Sequence, residues 1–176
     1  MNRNIFSVAP WVLLLALAFQ PRHSSRGNVP RIGFLSQAAP PSSYIEAFRQ
    51  GLREHGYVEG KTIVIEYRNA ENPDRLPNLA SDLVRLNVNS IVSVGGEATL
   101  AAKNATTIIP IIMTSASDPV GTGLVASLAR PGGNITGLST FGPGSSGKRL
   151  EILKEVVHGL SRVAAIGYNA NPAYKL

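Results

Sequence analysis

From Arg31 onward, short apolar runs alternate with segments whose apolar residues recur every three or four positions. Arg31 to Ser36 (RIGFLS) reads as a short buried strand. Tyr44 to His55 then sets Tyr44, Ala47, Phe48, Gly51 and Leu52 at helical spacing, with Ser42 or Ser43 as N-cap and Gly56 as the stop. Thr62 to Tyr67 (TIVIEY), rich in β-branched residues, predicts the second strand. A second helix is predicted over Arg75 to Leu86, with Leu76, Leu79, Ala80, Leu83 and Leu86 on its apolar face and Pro77 in its first turn, where no backbone donor is needed. Ser90 to Val94 (SIVSV) predicts a third strand, Glu97 to Ala105 a third helix and Ile108 to Thr114 a fourth strand. After the fourth strand the chain enters SDPVGTGLVASLARPGGNITG, where one short helical pattern is set among prolines and glycines. A further helix over residues 148–158 and a strand over Val163 to Tyr168 close the pattern.

Strand and helix in strict alternation predict a doubly wound α/β fold, because parallel neighbours need a crossover and each helix provides one. In such sheets ligands bind outside the carboxyl ends of the strands. Those ends are Ser36-Gln37, Gly95-Gly96-Glu97 and Ser115-Ala116-Ser117-Asp118-Pro119. Small and hydroxyl residues suit places where backbone approaches a ligand, and they equally fill any tight turn. Three such loops on one edge favour a pocket.

The 44% apolar content places the chain among globular proteins. Its formal charge of +6 is scattered and mixed with acids, as in KRLEILKE, so no basic stripe points to nucleic acid. With no cysteine the sequence offers neither disulfides nor thiolate sites, nor an N-terminal cysteine for lipid attachment. The first residues resemble an export signal: Arg3, then an apolar stretch from Val8 to Phe19, with a small-x-small site at Ala16-Leu17-Ala18. Residues 1–18 are therefore expected to be a cleaved signal peptide and 19–30 a polar leader. Histidines occur only at His23, His55 and His158, and no metal-binding spacing exists. Glu97 and Asp118 are the two carboxylates at strand ends; a catalytic pair is one reading of them, and a turn or cap role for Asp118 before Pro119 is the simpler one. Gly142 to Lys148 satisfies a phosphate-loop spacing, but Arg149 replaces the required hydroxyl and Pro143 removes a backbone donor, so it reads as a connection into the next helix.

The strings EAFRQGLREHGYVEGKTIVIEYRNAE, DRLPNLASDLVRLNV, IPIIMTSASDPVGTGLVASLARPGGNITGLS and GKRLEILKEVV, in this order, resemble ABC-transporter substrate-binding proteins of the tryptophan- and tyrosine-binding type. The resemblance runs from Arg31 to the end, and the segment around Asp118 to Gly137 is its most specific part. It implies the type I periplasmic-binding fold: two α/β lobes that close on a small solute, without catalysis or cofactor, and present it to a membrane permease of an importer from the periplasm. A sensor domain of a signalling system is the alternative the same fold allows. By position, residues 31–141 would form the N-terminal lobe, with Asn134 to Leu138 as its last strand, and 142–176 the incomplete start of a second lobe. Ser36, Gln37, Gly96, Glu97, Ala116, Ser117 and Asp118 would line the ligand site, and Ser139, Thr140 and Phe141 would form the hinge. Backbone donors at the helix opened by Glu97 suit an anionic group such as an amino-acid carboxylate, which the charge of Glu97 itself opposes. The resemblance implies a hydroxyl residue at the position where Gly96 stands, a departure of this sequence from the family pattern.

Overall fold

Alternate side chains of the first strand leave on opposite faces, and both faces are covered. In β1 (Arg31–Ser36), Ile32 and Phe34 join Ile65, Val92 and Ile112 in one apolar cluster, while Leu35 joins Ile91, Ile111, Met113 and Ile135 in another. Ile45, Phe48 and Leu52 of α1 (Ser42–Glu54) pack into the first cluster. The second takes Leu76, Ala80 and Leu83 from α2 (Leu76–Arg85), with Ala98, Ala101 and Ala102 from α3 (Gly96–Ala105). The structure is a computed structural model that describes residues 29–37, 42–140 and 144–164.

The other strands are β2 (Val64–Asn69), β3 (Ser90–Val94), β4 (Ile111–Ser117) and β5 (Ile135–Thr140), followed by α4 (Gly144–Val156). All neighbours pair in parallel, in the order β2-β1-β3-β4-β5. The chain steps outward from β1 to β2 and then crosses back to β3, so α1 and α3 leave adjacent strands on opposite faces. This is the doubly wound α/β class that the alternating pattern predicts. Edge strand β2 is clamped from outside the sheet: Arg49 donates from Nε to Glu59 (2.6 Å) and from Nη1 to Glu46 (2.9 Å), and lies over the Tyr67 ring. Both carboxylates raise the guanidinium's affinity for its proton, and burial pushes the Tyr67 phenol above its ordinary value.

Element boundaries differ from the pattern where a threonine intervenes. Thr62 accepts from the Val58 amide and donates to the Gly56 carbonyl, which keeps it in the loop, so β2 starts at Val64. Thr106 Oγ1 accepts from the amides of Ile108 and Ile109, which holds them off the sheet; Ile108 is 85% exposed and β4 starts at Ile111. Ser42 and Ser43 are the first residues of α1 rather than its cap, and Ile45 packs inward in place of the exposed Tyr44. The short helical pattern after Asp118 forms turns instead of a helix, because Gly123 and Gly132 adopt left-handed φ of 69° and 78°; Leu124 and Val125 are nevertheless buried. β5 begins and ends slightly later than Asn134 to Leu138. The run from Gly144 to Lys148 is the first part of α4 rather than a connection. Val163 and Ala164 form no strand, and the rest of that predicted strand, the signal peptide and nearly all of the leader lie outside the described residues.

Two glycines are required by close packing. A Cβ on Gly33 would stand 2.9 Å from Cδ1 of Leu83, a side chain able to shift. On Gly137, at φ 140°, it would stand 2.0 Å from the Met113 carbonyl oxygen, which is fixed by strand pairing. Urea denaturation is therefore expected to show Gly33→Ala destabilised by about 1–2 kcal/mol and Gly137→Ala by about 3 kcal/mol or more. Equal losses would contradict the close approach of β5 to β4.

Candidate functional site

Because β1, β3 and β4 run parallel, their carboxyl ends open on one edge, and the sheet order reverses there between β1 and β3. A cavity of about 130 Å³ lies at this edge. Gln37 enters it from the end of β1, and Gly95, Gly96 and Glu97 from the junction of β3 with α3. Leu100 adds the next turn of α3, and Ser115 and Ser117 come from β4. Thr122 and Leu124 close it from the glycine-rich crossover.

The β3–α3 junction is shaped from beneath. Gly95 is the N-cap of α3 with φ 89° and ψ 162°, a conformation that favours glycine, and it offers no side chain to the helix start. Its carbonyl accepts from both the amide (3.1 Å) and Oγ1 (2.7 Å) of Thr99. Since that hydroxyl proton is committed to Gly95, Thr99 Oγ1 accepts from Ser93 Oγ at 2.8 Å. Thr114 donates to the Ser93 carbonyl at 3.1 Å, which joins β4 to the same network. Thr99 and Ser93 are fully buried, so the network is sealed from water. Above it, the first amides of α3 have no partner within the helix, and the positive end of the helix dipole meets the cavity.

Gln37, Gly96, Glu97 and Ser117 are brought together around the cavity. Ser36, Ala116 and Asp118 are not among its lining residues. Ser36 is buried and donates to Asn69 Oδ1 at 2.6 Å, tying the end of β1 to β2. β4 runs on through Ser117, and an irregularity in its pairing with β5 between Met113 and Ala116 puts Ala116 in the same core cluster as Met113, which leaves Ser115 and Ser117 on the cavity. Asp118, at φ 43°, builds the following turn: Oδ1 accepts from the Gly121 amide, and its carbonyl accepts from the amide and hydroxyl of Thr122. Gly95, Leu100, Ser115, Thr122 and Leu124 join the lining beyond the residues singled out from sequence. Leu100 follows Gly96 by four and Glu97 by three on one helix face, a usable signal; nothing periodic marks Thr122 or Leu124. Ser139 and Thr140 lie in β5, opposite Ala116 and Ser117, and the hydroxyls of Ser117 and Thr140 are 3.2 Å apart. Phe141 lies outside the described residues.

Chemically the cavity is lined by hydroxyl residues, an amide side chain, the start of α3 and a single ionisable residue, Glu97. No group of three or more potential metal ligands occurs among the described residues. Complete small-molecule pockets occupy about 300–1,000 Å³, so this hollow holds one end of a solute rather than all of it.

A parallel sheet of this order is a doubly wound α/β lobe, and its polar hollow lies at the carboxyl edge where such sheets commonly take ligands. The chain belongs to the family of ABC transporter substrate binding proteins, matching it over residues 38–174. It is 37% identical over 127 residues to a tyrosine-binding protein of Clostridioides difficile, covering 72% of this chain; it spans about a third, 36%, of that curated relative's length. Its fold is similar to the ligand-free, open structure of a substrate binding protein with adhesive properties from Clostridium difficile, with TM-score 0.63 and 32% identity over 71% of this chain and 43% of the other. It is also similar to an ABC domain in complex with L-Trp from Streptococcus pneumoniae, with TM-score 0.63 and 29% identity over 72% of this chain and 43% of the other. A conserved domain protein of Vibrio cholerae gives TM-score 0.65 and 32% identity, covering 75% and 45%.

Thr99→Val removes the hydroxyl that serves both Ser93 and Gly95 without changing the side chain's shape. Thermal or urea denaturation is expected to show a loss of about 1–3 kcal/mol, with Thr99→Ser retaining most of the wild-type stability. Equal stability of all three proteins would show that the junction is held by packing alone.

Proposed function

We propose that the chain supplies the N-terminal lobe of the solute receptor of an ABC importer, which holds a small solute, an amino acid in the first instance, against a second α/β lobe. The observation that carries this reading is the cavity itself: three strand ends and an uncapped helix start converge on one hollow too small for a whole ligand. Relatives named for tyrosine binding and for an L-Trp complex support an aromatic amino acid as the first candidate. The receptor acts in the periplasm after removal of residues 1–18, hands its solute to a membrane permease and performs no chemistry on it. On this reading Ser139, Thr140 and Phe141 serve as the hinge; Ser139 and Thr140 are the last two residues of β5. Bound solute is positioned by the free amides of α3 and by the hydroxyls of Ser115 and Ser117.

Titration of the ¹⁵N-labelled chain with the twenty amino acids tests this. Saturable shifts of amides within residues 95–100 and 115–124 by at least one aromatic amino acid are expected, with the ligand recovered unchanged. Silence across the whole panel, or shifts confined to other parts of the sheet, would overturn the reading.

A further inference from the structure

We propose that Lys103 is a positioning residue for the hollow: its ammonium holds the glycine-rich crossover against α3 and so fixes the wall that Thr122 and Leu124 present to a solute. The inference rests on the binding function proposed above and adds a residue that touches no solute itself. Glu97, Leu100 and Lys103 follow at three-residue spacing along one side of α3. The first two line the hollow; Lys103 lies a turn beyond, half-buried, and its Nζ donates to the Gly123 carbonyl. Gly123 stands between Thr122 and Leu124, both of which line the hollow. A lysine in the last turn of a helix is favourable for the dipole wherever its head lies. This one directs its head to a carbonyl twenty residues away rather than to the last carbonyls of its own helix.

Local bonds cannot place the crossover. Among the described residues, the other hydrogen bonds of residues 119–133 all close within the segment or on Asp118, so they shape its turns without tying them to the rest of the lobe. Leu124 and Val125 share an apolar cluster with Ala98, Ala101 and Ala102 of α3, which holds the segment near the helix. Apolar packing has no direction, however, and it leaves the peptide planes beside Leu124 free to turn. Gly123, at φ 69° and without a side chain, is where such turning is easiest. A charge-assisted bond to its carbonyl is directional and removes that freedom. The wall is then in place before a solute arrives, and binding does not bear the cost of ordering it.

Lys103→Met keeps the apolar stem and removes the donor, and Lys103→Arg restores one. In ¹⁵N spectra of the ligand-free full chain, Lys103→Met is expected to shift or broaden the amides of Thr122, Gly123 and Leu124 while those of β1 and β3 stay in place, with a thermal midpoint within about 4 °C of wild type. With L-tryptophan as the probe, the dissociation constant is expected to rise about tenfold in Lys103→Met and to return to within about twofold of wild type in Lys103→Arg. Unchanged amides at 122–124 in ligand-free Lys103→Met, or equal affinity of wild type and Lys103→Met for L-tryptophan, would overturn the positioning role and leave the receptor function standing. Should L-tryptophan fail to bind the wild-type chain, that solute assignment falls, and the ligand-free amides alone decide the role of Lys103. If Lys103→Met does not fold, wild type decides: NOE contacts from the ε-protons of Lys103 to the α-protons of Gly123 are expected, and their absence overturns the tether.

Discussion

Parallel pairing of buried strands governs this molecule. Parallel neighbours cannot be joined by a hairpin, so every strand must be followed by a crossover that returns the chain to the same starting edge. All the exits then collect on the opposite edge. The reversal of order between β1 and β3 sends α1 and α3 to different faces, and the backbone parts between them. The hollow is a geometric product of that parting; no residue has to be removed from the core to make it.

Chemistry at that edge comes from economy of small groups. Gly95 leaves the start of α3 without a side-chain cap, and the hydroxyls of Ser93 and Thr99 fix the turn from the buried side. A serine or aspartate at the cap would fill the first donors of the helix from within. The junction is therefore held by hydroxyls on its inward face and carries no side-chain cap on its outward one.

Much of this was legible along the chain. The first four strands and their interleaved helices follow from apolar periodicity, the fifth comes from the family resemblance, and the convergence of Gln37, Gly96, Glu97 and Ser117 follows from topology once the strands are known to be parallel. The remainder depended on single hydroxyls. Thr62 and Thr106 each move a strand's start by trapping neighbouring amides, and no periodic signal records which threonine will do so. The irregularity of β4 between Met113 and Ala116, rather than plain alternation from Ile111, decides which of Ser115, Ala116 and Ser117 face the hollow, and no sequence period records it. Thr122 and Leu124 reach it through a crossover held by turns of Asp118 and left-handed glycines, whose path is set by tertiary packing rather than by local preference.

The contact between Ser117 and Thr140 has a mechanical side. Ser117 is both a wall of the hollow and, across 3.2 Å, the brace for the outgoing end of the last strand. A guest that takes up the Ser117 hydroxyl proton leaves Thr140 to act as donor across that contact, so the wall of the hollow and the end of β5 are joined through one pair of hydroxyls.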